Sequence, residues 1–336
     1  MICRTNSLFA IETLTKRALN NNLFLLARRS INVEKKKMMY SKILLILLFC
    51  TPILLHGQDR ASQIREKLLS RDQSGVLVVA HRGDWRFAPE NSLAAIDNAI
   101  KMGVDIVEID VQRTKDGHII VMHDATLNRT TTGKGKISEW PLDSICSLNL
   151  KNGCNIKTKE KIPTLEEVLL RTKGRIMLNL DKAERFFDEV YELMQKTGTT
   201  KQVIMKGTKS PDEVKMKFGN YLNEVIYMPI VDLDKAGSQE NIKHFMEELN
   251  PVAFELLYRN DINPIPKGVT KTLGRNSLIW YNTLWDTLSG GHDEDMALHN
   301  WDDAYGYLID TLNARIIQTD RPQYLIDYLK ERGLHD

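Results

Sequence analysis

The sequence predicts an α/β fold, a (β/α)8 barrel in which parallel strands alternate with helices. Short apolar runs with strand-like composition alternate with helix-like stretches from Val76 onward. This order of elements is typical of a parallel sheet. Several runs are nearly continuous Val, Ile and Leu, as expected for strands buried on both faces. No linker rich in Pro, Gly or Ser interrupts the pattern, so we expect a single domain.

Nine runs have the length and composition of strands, which is one more than an eight-stranded barrel needs. They lie at 76–80, 106–111, 119–123, 176–181, 203–206, 225–229, 252–256, 278–281 and 316–319. Helical patterns occupy the intervals between them, most clearly at 92–102, 165–171 and 186–196.

The second and third runs are joined by a segment too short for a parallel crossover, which needs about a dozen residues. Asp116-Gly117 in that segment is a strong tight-turn signal. We therefore predict an antiparallel hairpin, whose return arm is the extra strand. With Asp116 and Gly117 in the turn, Asp110 would lie opposite His123.

The first part of the chain has the features of a secretory signal peptide. Four lysines between positions 35 and 42 precede an apolar run at 43–55, which contains Pro52 and is shorter than the roughly 20 residues that span a bilayer. Gly57 supplies a small residue for cleavage. We expect export to the periplasm or the medium; an uncleaved anchor and a lipoprotein at Cys50 are the alternatives.

The chain thus divides into a leader at 1–57 and a domain at 58–336. Residues 1–37 are interpreted as an upstream extension of the gene model, because Met38 or Met39 makes a normal start. Residues 1–58 carry nine basic and two acidic residues, which leaves 37 basic and 42 acidic residues downstream. A mildly acidic body lacks the basic surface that nucleic-acid binding needs, so no nucleic-acid partner is expected. The oligomeric state is not indicated.

Acidic residues near the carboxyl ends of the predicted strands indicate a metal site. Glu108 and Asp110 project from the same face of one strand. Adjacent carboxylates repel each other unless a cation lies between them, and Ca²⁺ or Mg²⁺ prefers such oxygen ligands. Barrel enzymes carry their active sites at this end of the strands.

Two histidines are predicted to reach the same rim. His81 ends the first run and His123 ends the hairpin return. Two imidazoles across a phosphate can act as general base and general acid, with Arg82 and the metal neutralising the phosphoryl oxygens. Taken singly, a strand-end histidine is more often structural and an isolated Glu-x-Asp more often faces solvent. Their joint placement favours function.

Several segments, in order along the chain, together resemble the signature of the glycerophosphodiester phosphodiesterase family. They are His81-Arg82-Gly83, Ala88-Pro89-Glu90-Asn91-Ser92, Glu108-Ile109-Asp110-Val111, Asp116-Gly117, His123-Asp124, the stretch from Thr126 to Gly135, the stretch from Ile162 to Glu167, and Gln318-Thr319-Asp320-Arg321-Pro322.

The resemblance implies a phospholipase-C-like phosphodiesterase TIM barrel with a small insertion at about 124–165. It implies hydrolysis of a small-molecule phosphodiester to an alcohol and glycerol 3-phosphate. By the same resemblance, His81 and His123 are the acid–base pair, and Glu108 and Asp110 are metal ligands. Arg82 and Glu90 belong to the site, with Arg82 on the phosphate. In many members a neighbouring substrate hydroxyl attacks first and gives a cyclic phosphate.

One segment departs from the family pattern, which commonly ends the fourth core strand with Glu-x-Lys. This chain has Asn179-Leu180-Asp181-Lys182. Asp181 is the expected third metal ligand, and Lys182 should point away from its face on a regular strand. Lys206, at the end of the next strand, could supply the missing substrate-binding cation. Alternatively, Lys206 forms a structural salt bridge, for which Glu255 is a candidate partner.

Trp280 lies on the seventh core strand, where related enzymes carry an aromatic segment that shapes the leaving-group pocket. The resemblance therefore implies a substrate contact, and core packing is the alternative. Cys146 and Cys154 are the cysteines of the expected mature chain, and they form either a bridge or two free thiols.

Two other functions remain open. A lysophospholipase D or a phosphoinositide-cleaving phospholipase could use the same barrel, but it should expose an apolar rim, and no amphipathic membrane helix follows the leader. A non-catalytic phosphodiester-binding protein would usually have lost a histidine or a carboxylate, and this chain keeps both kinds.

Overall fold

The computed structural model describes residues 59–336, together with the single residue Lys36. The predictions made for the leader therefore lie outside the described residues. Gln58–Asp336 form one compact unit. Within the described range, no helix combines the length and the apolar character needed to cross a membrane.

Eight parallel strands close into a barrel. Each pairs with its neighbours in the order β1-β9-β8-β7-β6-β5-β4-β2, and pairing between β1 and β2 completes the circle. A further strand, β3, pairs with β2 in the antiparallel sense. The prediction of a (β/α)8 TIM barrel with a hairpin is confirmed. The strands are β1 (Leu77–His81), β2 (Ile106–Arg113), β3 (Ile119–Val121), β4 (Met177–Asp181), β5 (Val203–Gly207), β6 (Ile226–Asp232), β7 (Ala253–Leu257), β8 (Leu278–Asn282) and β9 (Ala314–Thr319).

Helices occupy the intervals between the strands and cover the outside of the barrel. Helix-start signals in the sequence fix several of them: Ser92 caps α2, and Thr164 and Ser210 form capping boxes at α4 and α6. The helices are α1 (Arg60–Leu69), α2 (Leu93–Met102), α3 (Leu142–Ser147), α4 (Leu165–Thr172), α5 (Phe187–Thr197), α6 (Pro211–Phe218), α7 (Ser238–Glu248), α8 (Ile265–Leu273), α9 (Glu294–Ala297), α10 (Tyr307–Asp310) and α11 (Pro322–Glu331).

The alternation of side chains along the strands fills the barrel interior in layers. Near the amino ends of the strands the inward residues are apolar and pack with Ala61, Ile64 and Leu68 of α1, which closes that end. Further along the strands, except in β6 where Ile230 continues the apolar series, the inward residues become polar. This polar set includes His81, Glu108, Asp110, Asn179, Asp181, Lys206, Glu255 and Asn282. The alternation of side chains along the strands, with every second residue pointing inward, therefore forms both the apolar floor and the polar site above it.

The hairpin register differs by one residue from the prediction. The carbonyl of Asp110 accepts a hydrogen bond from the Met122 amide at 2.9 Å, so Met122 and not His123 lies opposite Asp110. The cause is the loop, which holds three residues (115–117) rather than two. Gly117, at φ +87°, occupies the left-handed position that a three-residue hairpin loop requires. His123 therefore lies one residue beyond Asp110.

The segment after β3 builds a small core of its own. It packs against the hairpin and contains a short 3₁₀ turn (Ile137–Glu139) and α3. The residues of this core are Ile120, Met122, Leu127, Ile137, Ile145, Leu150 and Ile162. Cys146 and Cys154 are exposed free thiols, so of the two alternatives the structure has the unbridged one.

Candidate active site

His81 stands at the carboxyl end of β1 and is held by a carboxylate. Its Nδ1 lies 2.7 Å from Asp320 Oδ1, and its Nε2 lies 4.0 Å from Glu108 Oε2. Asp320 directly follows β9, the neighbour of β1. Burial disfavours the charged imidazole, but the hydrogen bond to Asp320 and the nearby Glu108 carboxylate outweigh it and raise the pKa of His81. Asp320 thereby fixes a proton on Nδ1 and leaves Nε2 directed at the carboxylates.

His123 is held in the same way, but in a more exposed position. Its Nδ1 lies 2.7 Å from Asp124 Oδ1, and 37% of its side chain is exposed. Arg129 donates to both oxygens of Asp124, at 2.9 and 2.8 Å. The hydrogen bonds from Arg129 and then from His123 lower the pKa of Asp124 to about 2. Each of the two histidines thus has a carboxylate within hydrogen-bond distance of Nδ1, and the Nε2 of His81 faces Glu108 at 4.0 Å.

Glu108, Asp110 and Asp181 form a carboxylate cluster. One oxygen from each lies within 4.8 Å of the others, and Asp110 is in register with Asp181 across the β2–β4 pair. Burial, reinforced by the charge of Asp110, raises the pKa of Glu108 to about 7. Three converging carboxylate oxygens fit a hard divalent cation such as Ca²⁺ or Mg²⁺. The donor set therefore fits the metal that the resemblance implies.

Lys182 reaches into this cluster, contrary to the prediction that it points away. Its Nζ lies 2.7 Å from Asp110 Oδ1 and 2.9 Å from the carbonyl of His123. The strand has ended at Asp181, and Lys182 adopts a left-handed conformation with φ +64°, so strand alternation no longer sets its direction. Burial alone would raise the pKa of Asp110, but Lys182 and Arg82 hold that pKa well below its usual range.

Lys206 forms the structural salt bridge that the sequence left open. Its Nζ lies 3.3 Å from Glu255 Oε2 and 4.0 Å from Asp181 Oδ1, and both Lys206 and Glu255 are buried. Burial disfavours the ammonium, but the surrounding carboxylates, Glu255 first, raise the pKa of Lys206. The other oxygen of Glu255 accepts from Asn282 at 2.7 Å.

Arg82 and Glu90 lie together at the rim. Arg82 Nη1 donates to Glu90 Oε1 at 3.1 Å, and the Arg82 backbone amide donates to Glu108 Oε2 at 3.1 Å. Arg129 also donates to both oxygens of Glu90, at 2.6 and 2.9 Å. Gly83, at φ +76°, follows Arg82 with no room for a side chain, because a Cβ would lie 2.8 Å from the Ala95 backbone. This tight turn aims Arg82 at the carboxylates.

Comparison with known proteins agrees with this geometry. A family model described as "Glycerophosphoryl diester phosphodiesterase family" matches residues 81–213. A glycerophosphodiester phosphodiesterase of Caldanaerobacter subterraneus is 47% identical over 95 residues, which are 27% of this chain and 38% of the relative. The match to the glycerophosphodiester phosphodiesterase family thus covers less than half of the chain, and it includes both histidines and the three clustered carboxylates. Glycerophosphodiester phosphodiesterase 1 of Bos taurus is 36% identical over 171 residues, 50% of this chain and 48% of the relative.

These matches are partial in length. The chain spans less than two thirds of the curated relatives that it matches. A second family model, described only as a domain of unknown function, matches residues 227–329. The glycerophosphodiester phosphodiesterase signature thus lies in the first half of the barrel.

Solved structures of the family share the fold. A glycerophosphoryl diester phosphodiesterase from Parabacteroides distasonis has a TM-score of 0.67 at 22% identity and covers 80% of this chain and 92% of its own. An Oleispira antarctica phosphodiesterase in complex with the product sn-glycerol-3-phosphate has a TM-score of 0.57 at 22% identity, with coverage of 78% and 99%.

Trp280 lies on the seventh core strand, β8, as predicted, but its side chain packs in the core. Its side chain is fully buried among the apolar residues of the barrel floor, and its indole N–H donates to Asn282 at 2.8 Å. An inward position one layer below the polar residues explains this burial. The structure therefore corrects the prediction of a substrate contact to core packing.

Sequence analysis missed several residues that support the site. Asp124, Arg129 and Asp320 all lie within motifs that carry the resemblance, but the motifs alone do not say which side chains they contact. Glu294 lies outside the motifs that carry the resemblance, so the sequence did not indicate it. It is buried and accepts hydrogen bonds from Arg86 at 2.5 Å and from the Asp320 amide at 2.7 Å.

Proposed function

We propose that this chain hydrolyses glycerophosphodiesters to an alcohol and glycerol 3-phosphate, with a divalent metal ion and a histidine acid–base pair. The observation that carries the proposal is the pairing of His81 and His123 with Asp320 and Asp124. Each carboxylate holds Nδ1 and leaves Nε2 available beside the carboxylate cluster. Two imidazoles prepared in this way match what general acid–base catalysis of phosphodiester cleavage needs.

In this mechanism one imidazole accepts, at its Nε2, the proton of the neighbouring substrate hydroxyl that attacks phosphorus. The other imidazole donates its Nε2 proton to the oxygen of the leaving alcohol. The cyclic phosphate formed in this step is then opened by water to glycerol 3-phosphate. Arg82, which the turn at Gly83 holds against the rim, neutralises the non-bridging phosphoryl oxygens. A divalent cation held by Glu108, Asp110 and Asp181 would act as a Lewis acid on the same oxygens.

The substrate class rests on the relatives. The relatives from Caldanaerobacter subterraneus and Bos taurus are named as glycerophosphodiester phosphodiesterases, and the Oleispira antarctica phosphodiesterase is in complex with the product sn-glycerol-3-phosphate. The carboxylate cluster and Arg82 provide the charges that a phosphodiester and its metal ion would need.

The test is turnover of purified protein with glycerophosphocholine, glycerophosphoethanolamine, glycerophosphoinositol and bis-glycerophosphate. Each is assayed with EDTA and after addition of Ca²⁺ or Mg²⁺, with release of glycerol 3-phosphate as the readout. We expect turnover that EDTA abolishes and one of the cations restores. Folded protein that turns over none of these diesters, with either cation, would contradict the proposal.

A lipid substrate is the second candidate, and one observation favours it. Phe87 is 83% exposed in the loop after β1, and Trp285 is 49% exposed after β8, both at the carboxyl ends of the strands. Such residues could contact an acyl chain. Lysophosphatidylcholine supplied as a substrate tests this: a lysophospholipase D would release choline, and Phe87→Ser would raise KM for the lipid but not for glycerophosphocholine. Equal effects of Phe87→Ser on both substrates would contradict this candidate.

We also propose that the chain is exported and cleaved after Gly57. The support is the lysine-flanked apolar run at 43–55. Amino-terminal sequencing of protein from the periplasm or the medium should begin at Gln58. Recovery of the chain only from the cytoplasm, with its leader intact, would contradict export.

A further inference from the structure

The ammonium of Lys182 lies against two of the three carboxylates of the cluster. It lies 2.7 Å from Asp110 Oδ1 and 3.9 Å from Asp181 Oδ2. Only 18% of the Lys182 side chain is exposed. A positive charge within 4 Å of two predicted metal ligands is placed much as a bound cation would be.

The backbone and a second hydrogen bond hold the ammonium in this place. Lys182 has φ +64°, which turns the chain sharply after β4. Its Nζ also donates to the carbonyl of His123 at 2.9 Å. Lys182 thus connects the end of β4 to the end of the hairpin and offsets part of the repulsion among the three carboxylates.

The oxygens of Asp110 are not equivalent. Oδ2 accepts a hydrogen bond from Asn91 Nδ2 at 3.0 Å and lies 3.5 Å from Arg82 Nε, while Oδ1 is bonded to Lys182. Asn91 is buried and is also fixed to the Asp110 backbone amide at 3.2 Å. Because Oδ2 is held by buried groups, Oδ1 is the oxygen that Asp110 can most readily offer to a metal. A divalent cation bound at that oxygen would lie close to the ammonium of Lys182, 2.7 Å from the same atom, so the two positive charges would repel each other.

We propose that Lys182 is an internal counter-ion that competes with the divalent cation for Asp110 and so weakens metal binding. Metal entry displaces the ammonium from Oδ1, and Lys182 then leaves the space among the carboxylates. In the metal-free protein the ammonium stabilises the cluster. This inference rests on the metal dependence in the proposed function, and it adds a residue that sets the metal affinity.

Calorimetric titration of Ca²⁺ and Mg²⁺ into EDTA-treated protein tests the competition without any assay of turnover. Lys182→Met removes the competing charge, so we expect Kd for the metal to decrease roughly tenfold, within the usual range of coupling between two ligands of one site. Lys182→Gln provides the same test with a polar side chain, should the methionine variant not fold. An unchanged or increased Kd in a folded variant would overturn the competition.

Thermal unfolding separates competition from an ordinary structural ion pair. Without metal, Lys182→Met should lower Tm, because the buried carboxylate of Asp110 loses the ammonium on Oδ1. With saturating metal, the variant should match the unsubstituted protein, because the ion replaces the ammonium. A structural role alone would lower Tm equally with and without metal, and that result would also overturn the proposal.

Two further variants complete the design. Lys209→Met is the matched control, because Lys209 pairs with Glu184 at 2.6 Å and not with the cluster, so its Kd for the metal should be unchanged. Asp110→Asn should abolish the heat of metal binding in the calorimetric titration. If neither the unsubstituted protein nor Lys182→Met binds either cation, the metal dependence in the proposed function fails. If the unsubstituted protein binds metal and Lys182→Met binds it no more tightly, only the competition fails.

Discussion

Residues 81–213 and residues 227–329, which match different family models, contribute different kinds of side chains to the site. The first half of the barrel carries both histidines, Arg82 and the three clustered carboxylates. The second half supplies two supporting carboxylates, Asp320, which holds His81, and Glu255, which pairs with Lys206. The carboxylate that holds His123, Asp124, lies in the first half. The groups proposed for catalysis are thus concentrated in the first half, whereas their supporting groups come from both halves. A family signature confined to one half can therefore describe the reaction but not all of the scaffold that positions it.

The largest expected effect tests whether the first half carries the chemistry. His81→Asn and His123→Asn should each lower kcat by roughly 10³-fold, because general acid–base catalysis contributes factors of that order. Steady-state kinetics with a glycerophosphodiester measures this, and circular dichroism checks the fold. His244→Asn is the matched control, since His244 is exposed on α7, away from the site. Either site variant turning over at the unsubstituted rate would remove that histidine from the mechanism.

The next effect concerns the ion pair that joins the two halves. Lys206→Met leaves Glu255 buried without its partner, so the free energy of unfolding should fall by about 3 kcal/mol. Adding Glu255→Gln should recover part of this loss. Urea denaturation measures both. Lys196→Met, which breaks an exposed pair with Glu166, should cost less than about 1 kcal/mol. Equal losses for the two lysine variants would show that the bridge between the halves contributes little.

A smaller effect on kcat is expected when Asp320, in the second half, no longer orients His81, in the first half. Asp320→Asn should lower kcat about 10- to 100-fold with little change in KM, because the imidazole of His81 loses the carboxylate that orients it. Tm should change less than in Lys206→Met. Asp327→Asn, on the exposed side of α11, serves as the control. If kcat is unchanged in Asp320→Asn, Asp320 does not orient His81 for catalysis.

The smallest effect lies at the opposite end of the barrel, where the halves also meet. His335 Nε2 lies 2.9 Å from Asp105 Oδ2, and although burial opposes protonation, the bond to Asp105 raises the pKa of His335. A raised folded-state pKa gives stability that is fully present below about pH 6.5 and is lost as pH rises through the folded-state pKa. Tm should therefore decrease by a few degrees across that interval, and less so in His335→Gln. Parallel profiles for the two proteins would exclude this contact as the cause.

The barrel and most of the site could be predicted because both follow from one sequence pattern. Alternation along buried strands places His81, Glu108 and Asp110 at the same rim, and the short join before His118 marks the hairpin. These features depend only on local periodicity and on the short reach of a turn.

The errors arose where the backbone leaves that regular pattern. Lys182 could not be placed because strand alternation ends at Asp181, and a left-handed residue reverses the expected direction. The hairpin register failed by one residue because the sequence does not distinguish a two-residue loop from a three-residue loop with Gly117 in the left-handed position. Trp280 was misplaced because a motif gives a position on a strand but not its depth in the barrel.

The position of α1 has a practical consequence. Arg60 donates to the carbonyls of Gly103 and Val104, just before β2, and the Leu334 carbonyl accepts from the Val76 amide, just before β1. Both ends of the described domain therefore leave the barrel at its closed floor, opposite the rim with the histidines. A surface attachment made through either end would leave the mouth of the barrel facing solution. Immobilised protein of this kind should keep its access to dissolved diesters whichever end is used as the tether.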